Sequence, residues 1–166
     1  ERVEQLNRGD NYISDVDDSE LNSLVESGVL TATSDYSVVS DLDAVSICVP
    51  TPLSKLKDPD VSFIQSALDE LVKYIHSGLL VILESTTYPG TTRELILPAL
   101  TAEGSEVGKD FFLCFSPERI DPGNKEYKIK NTPKVIGGVT ETCGNLGRLL
   151  YEQISDHVVS VSSPES

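Results

Sequence analysis

Methionine and tryptophan are absent from this 166-residue sequence, which also has only two histidines. The chain opens on Glu1 and has no Met at any position, so the sequence predicts that further residues precede Glu1 in the parent protein. Basic residues are scarce: 13 Lys and Arg stand against 27 Asp and Glu, a net charge of −14. So acidic a surface repels nucleic acid and anionic membranes and argues against both as partners. Phosphate-bearing ligands remain open, because backbone N–H groups at helix N-termini hold anions without basic side chains. No apolar run approaches the roughly 18 residues that a membrane-spanning helix needs, and no signal-peptide pattern occurs. The expectation is a soluble, cytoplasmic protein.

Cysteine is also sparse. Cys48, Cys114 and Cys143 form neither a C-x-x-C pair nor an even disulfide set, which points to a reducing compartment. Cys48 and Cys114 sit in apolar runs, where a free thiol packs as a small hydrophobe. Cys143 lies in the first turn of an expected helix, where a thiol pKa can fall, but no His stands beside it to make a nucleophile. His76 and His157 have no Cys or His partner at ligand spacing, so no metal site is expected.

What is present is an alternation of short apolar runs with amphipathic stretches. The runs are Ala44 to Val49, Leu79 to Leu83, Phe111 to Phe115, Lys134 to Ile136 and Val158 to Val161. Short continuous runs suit strands buried on both faces, as in a parallel sheet. Between them, Val61, Ile64, Ala67, Leu68, Leu71, Val72 and Ile75 step by three and four, with Asp60 as N-cap and Gly78 as terminator. Thr92 to Glu103 and Thr140 to Ile154 repeat the pattern, and Ser19 to Val25 is a shorter helix closed by Gly28. The opening stretch reads as a helix ending at Gly9, the tail of a crossover whose strand lies upstream. Together these predict an α/β protein built from right-handed βαβ units around an open parallel sheet.

In open α/β sheets ligands bind beyond the carboxyl ends of the strands. Three unusual segments fall there. Pro50-Thr51-Pro52 fixes an extended exit that holds backbone near a ligand, or is simply a rigid turn. Ser85, Thr86 and Thr87 offer hydroxyls before a turn at Pro89-Gly90, to a ligand or to local backbone. Glu118, beside Pro117 at the end of an aromatic strand, can act as a general base if partly desolvated; otherwise it is an ion-pair partner of Arg119 or a solvated loop acid. Lys125, Lys128 and Lys130 with Tyr127 read as a solvated surface.

These segments resemble a known family. Val49-Pro50-Thr51-Pro52, Leu83-Glu84-Ser85-Thr86 with Pro89-Gly90-Thr91-Thr92, and Phe115-Ser116-Pro117-Glu118-Arg119 with Asp121-Pro122-Gly123-Asn124 are similar, in order and spacing, to the UDP-glucose/GDP-mannose dehydrogenases. Lys134 to Thr140 and Val161 to Glu165 extend the resemblance over essentially the whole chain, and Asn11 to Val16 resembles the branch acting on UDP-N-acetyl-hexosamines. The resemblance implies a Rossmann-type doubly wound sheet and two successive NAD-dependent oxidations at C6 of a nucleotide sugar, with a cysteine thioester hydrolysed by water. It also implies a homodimer or higher homo-oligomer and a place in polysaccharide biosynthesis.

By the same resemblance, Arg2 lies near the adenosine end of NAD, and Val49, Pro50, Thr51 and Pro52 line the cofactor. Ser85, Thr86 and Thr87 approach the nicotinamide ribose, with Thr86 helping to position a catalytic water. Glu118 is the base of thioester hydrolysis and, with Arg119, Ile120 and Asp121, contacts the sugar substrate. No G-x-G-x-x-G occurs, and none of the three cysteines matches the catalytic one. The expectation is therefore that residues 1–166 are a truncated NAD-binding domain, lacking the first βαβ unit and inactive alone. The alternatives are a UDP-glucose or GDP-mannose enzyme and, in another class, a non-catalytic nucleotide-binding or interaction module.

Overall fold

The computed structural model describes residues 1–13, 16–53, 59–102, 104–119 and 131–166, arranged as two compact units, Glu1–Tyr36 and Ser37–Ser166. In the first unit α1 (Arg2–Asn7) ends ahead of Gly9, and α2 (Asp18–Glu26) starts where the Asp17 carboxylate accepts the N–H groups of Ser19 and Glu20. The Ser19 hydroxyl, which also donates to this carboxylate, and then the two N–H groups stabilise its charge and hold Asp17 below the usual aspartate range. The Asn7 carboxamide binds both the N–H and the C=O of Ala32, each at 2.8 Å, closing the unit.

The second unit is built on a five-stranded sheet in sequence order: β1 (Ala44–Ile47), β2 (Leu80–Leu83), β3 (Phe112–Phe115), β4 (Lys134–Gly138) and β5 (Val158–Val161). Four lie within the expected apolar runs, and β4 starts in its run and continues two residues past it, to Gly138. The expectation of a wholly parallel sheet is corrected at one joint: β3 and β4 are antiparallel, Cys114 facing Gly138 and Phe115 facing Gly137, while the other pairs are parallel. A parallel joint needs a crossover that carries the chain back across a face. Residues 116–133 carry no helical period to make one, so β4 starts at the edge where β3 ends.

Successive side chains alternate between the faces. Val45, Ile47, Val81, Leu83 and Leu113 point to a face packed by α3 (Ser62–Leu71), by α4 (Leu97–Thr101) and by the turn that precedes α4. This core is wholly apolar, with Ile64, Leu68, Ile96 and Phe111 fully buried. The opposite face carries Leu80, Ile82, Cys114 and Ile136 and packs α5 (Glu141–Tyr151) through Cys143 and Tyr151. Its helix approaches the sheet closely. A Cβ on Gly138 would lie 2.0 Å from the Gly144 nitrogen, so only glycine fits there.

Helix details depart locally from the expectations. Asp60 accepts the Ser62 N–H at 3.0 Å, as its proposed capping role requires, but α3 passes after Leu71 into a 3-10 turn, Val72–Tyr74. The Thr92–Glu103 stretch is a π-turn, Thr92–Ile96, followed by α4. Pro98 explains the split, since it has no N–H to bond back to residue 94. Cys114 and Cys143 are buried, but Cys48 is exposed just past the end of β1, an edge strand of the described sheet.

Candidate functional site

The three segments singled out at the strand ends do come to one edge of the sheet, since β1, β2 and β3 are parallel and in register. Ser85 ties two of them. Its Oγ donates to the Ile47 carbonyl at 3.0 Å and accepts the Val49 N–H at 2.9 Å, strapping the exit of β1 to that of β2. Ser85 is 3% exposed, so its hydroxyl and the Val49 N–H are spent on the scaffold. Sequence reasoning placed both residues in the cofactor lining; in the structure they hold the exits of β1 and β2 together.

Thr51 and Thr86 remain available. Thr51 Oγ1 is buried and has no hydrogen-bond partner among the described residues. An unsatisfied buried hydroxyl costs about 1–3 kcal/mol, a penalty that a ligand hydroxyl or amide removes. Pro50 and Pro52 on either side of it are exposed, as is Thr86. Thr87 bonds Thr91 Oγ1 at 2.7 Å, and Thr91 donates to the Tyr88 carbonyl, so this pair closes the Pro89-Gly90 turn. Thr87 also borders a cleft of about 280 Å³ with Phe115, Pro117 and Glu165. Arg93 reaches across to Glu165 at 3.0 Å and to the Val139 carbonyl at 3.2 Å, fixing that wall.

Glu118 is exposed and borders a second cleft, of about 230 Å³, together with Arg119, Glu84, Lys134 and Tyr151. Its Oε1 accepts the Arg119 backbone N–H at 2.7 Å, while the Arg119 guanidinium donates to the Pro133 carbonyl at 3.2 Å. The side-chain ion pair considered as an alternative for these two is therefore replaced by backbone contacts. A carboxylate at the mouth of a cleft can take a proton from a bound water. Ile120 and Asp121, and the Lys125–Lys130 loop, lie outside the described residues. Arg2 belongs to the first unit, where its guanidinium lies 5.7 Å from the centre of the Tyr12 ring, a cation–π contact.

One polar cluster was not singled out from sequence. Glu84, the residue before Ser85, binds Lys134 through Oε1, while its Oε2 accepts from Tyr151 Oη at 2.7 Å and Ser46 Oγ at 2.9 Å. Burial pushes the Glu84 carboxyl up, but hydrogen bonds from Lys134, Tyr151 and Ser46, with the ammonium charge, more than offset it and hold the group below the usual glutamate range. Burial, and next the hydrogen bond to Glu84, push the Tyr151 phenol well above its ordinary value. Ser116 Oγ, fully buried, lies beside this phenol without the geometry of a full hydrogen bond. The signal available in the sequence was a charged residue ending a fully buried strand, since such a charge is retained only with partners.

Among the described residues no three His, Cys, Asp or Glu side chains group to hold a metal ion, and no helix is long and apolar enough to cross a membrane. Burial, and after it the nearby Cys143, push the Cys114 thiol up to about 12, so it is inert packing. Cys143 is buried too, with its sulfur 3.3 Å from the Leu113 N–H.

Comparison with known proteins gives one consistent picture. Residues 1–155 match the UDP-glucose/GDP-mannose dehydrogenase family, NAD binding domain. The UDP-N-acetyl-D-glucosamine 6-dehydrogenase of Pseudomonas aeruginosa is 34% identical over 154 residues, covering 92% of this chain and 36% of that protein. The UDP-N-acetyl-D-mannosamine dehydrogenase of Pyrococcus horikoshii is 33% identical over 152 residues, covering 91% of this chain and 36% of its own length. Among solved structures, an NDP-N-acetyl-D-galactosaminuronic acid dehydrogenase from Methanosarcina mazei superposes with a TM-score of 0.88 at 31% identity, covering 98% of this chain and 36% of that one. The chain thus spans about a third of the length of these relatives.

Proposed function

Because the chain belongs to the UDP-glucose/GDP-mannose dehydrogenase family, matching its NAD binding domain, we propose that it is the C-terminal part of that domain in an enzyme oxidising C6 of a UDP-N-acetyl-hexosamine to a carboxylate. The fold is the Rossmann-type α/β fold of such dehydrogenases. What carries the reading is the placement of Thr51, Thr86 and Glu118 at one sheet edge in a chain 34% identical to a UDP-N-acetyl-sugar 6-dehydrogenase.

The residues present fit one side of the cofactor: the orphaned Thr51 hydroxyl has a hydrogen bond to give, and prolines on either side keep its backbone extended. NAD, when bound, accepts the hydride in each of the two oxidations. The chain's own part is to bind and orient. Pro50, Thr51 and Pro52 shape the cofactor wall, Thr86 directs a water with its hydroxyl, and Glu118, with Arg119, Ile120 and Asp121 beside it at the substrate, takes that water's proton during hydrolysis. Arg2 serves the adenosine end. A cytoplasmic, homo-oligomeric enzyme belongs to the same proposal.

The test is turnover by the intact protein, followed by NADH absorbance, with UDP-N-acetylglucosamine, UDP-N-acetylmannosamine, UDP-glucose and GDP-mannose. Preference for a UDP-N-acetyl sugar, with two NADH formed per sugar, is expected; preference for UDP-glucose or GDP-mannose overturns the substrate assignment. Glu118→Gln should lower kcat by about 100-fold or more, and the 166-residue chain alone should show no turnover.

A further inference from the structure

Thr86 is an exposed residue between neighbours that are held through their side chains. Glu84 and Ser85 follow directly on β2. The Glu84 N–H bonds the Ile47 carbonyl at 3.0 Å, so the ladder with β1 runs one residue past the strand. Its carboxylate then reaches three other elements at once: Lys134 at the start of β4, Tyr151 at the end of α5 at 2.7 Å, and Ser46 on β1 at 2.9 Å. Since β3 lies between β2 and β4 in the sheet, the Glu84–Lys134 pair spans it. The Tyr151 ring, 5.0 Å from Lys134 Nζ, holds the ammonium by a second, cation–π contact. Ser85 bonds the backbone of β1 twice. On the far side of Thr86, Thr87 bonds Thr91 in the Pro89-Gly90 turn. The backbone at Thr86 is thus set from both ends.

We propose that Glu84 is a positioning residue that, with Lys134 and Tyr151, fixes the backbone from which Thr86 presents its hydroxyl. Ser85 ties this backbone to β1, an edge strand of the described sheet. Glu84 adds β4 and α5, which pack on each other in the core of the α5 face. An ion pair with hydrogen-bonded partners suits this use, because it has a direction and apolar burial has none. Glutamine at position 84 keeps the size but offers one acceptor oxygen where three donors converge, and no charge to hold the ammonium. The end of β2 then loses its tie to β4. Displacing a group that orients a reactant by about 1 Å can cost about 100-fold in rate. The catalytic meaning of this device rests on the reading of Thr86 as the residue that directs a water, but the fixing of its backbone does not.

The experiment is NMR relaxation of the Thr86 amide in the chain labelled with ¹⁵N-threonine, the signal assigned by its loss in Thr86→Ala. Its order parameter should lie near the rigid value of about 0.85 in the wild type and fall to about 0.6 in Glu84→Gln. Glu84→Gln/Lys134→Met should regain stability in denaturant unfolding without regaining order at Thr86. A low wild-type value, one unmoved by Glu84→Gln, or one restored along with stability overturns the proposal. Should Glu84→Gln give no folded spectrum, Tyr151→Phe keeps both charges and should lower the Thr86 value by a smaller step; no change overturns it. In the intact enzyme Glu84→Gln should lower kcat by about 10- to 100-fold, and should lower it no further in a Thr86→Ala background. An equal loss in both backgrounds overturns positioning through Thr86. Absence of sugar oxidation by the intact wild-type enzyme would refute the dehydrogenase reading and leave the relaxation measurement to decide this proposal.

Discussion

The two faces of the sheet are built on different physics. Toward α3 and α4 the strands present Val45, Ile47, Val81, Leu83 and Leu113 to a core with no charged side chain, and its largest members are fully buried. Toward α5 the core is smaller, includes two thiols, and passes at the strand ends into the Glu84–Lys134–Tyr151–Ser46 cluster. The first face derives its stability from burial, at about 25 cal/mol per Å². The second gives up part of that gain to keep an ion pair half out of water, a choice that rarely improves stability over apolar packing. A protein keeps such a pair where it needs oriented charge, and here it stands at the edge that carries Glu118.

The contrast can be broken in decreasing order of effect. Leu68→Ala, on the apolar face, should cost about 2–5 kcal/mol in denaturant unfolding, because a fully buried leucine leaves a cavity that rigid strands cannot fill. On the α5 face, Glu84→Gln should cost about 2 kcal/mol by leaving Lys134 half-buried and unpaired, whereas Glu84→Gln/Lys134→Met should recover most of the loss. A double variant no more stable than the single one would place the value of the pair elsewhere than in its charges.

The pair also gives this face its own pH dependence. Glu84 is held below its ordinary value when folded, so its contribution is complete above the unfolded glutamate value of about 4.3 and is lost as pH falls through the lower folded one. Acid unfolding should therefore become steeper below about pH 4 in the wild type than in the double variant. The smallest effect is at the start of α5, where Thr140 Oγ1 accepts the Cys143 N–H at 3.3 Å. Thr140→Ala should cost about 1 kcal/mol.

Most of the apolar face was legible in the sequence. Runs such as Leu79–Leu83 and the step of three and four from Val61 to Ile75 are direct records of burial, and all five strands and their covering helices lie where these patterns put them. Strand direction was not legible, because a continuous apolar run reads the same in either sense, and the β3–β4 joint was taken as parallel for that reason. Nor was the split of the Thr92–Glu103 helix, where apolar spacing hides what Pro98 does to the backbone. At the site, the edge at which the three segments meet followed from topology. Which of their hydroxyls face outward did not: Ser85 and Thr86 are neighbours, yet one is spent on the strap between strands and the other is exposed. The Glu84 cluster was missed because its partners are 38, 50 and 67 residues away.

The antiparallel joint has a consequence for variation. A purely parallel sheet offers its binding edge only residues that follow a strand, so every change there alters a segment leading into a crossover helix. By running backward, β4 brings to that edge residues at or before the start of a strand, among them Lys134 and Thr132. The segment 116–133 thus leaves and returns at the same rim.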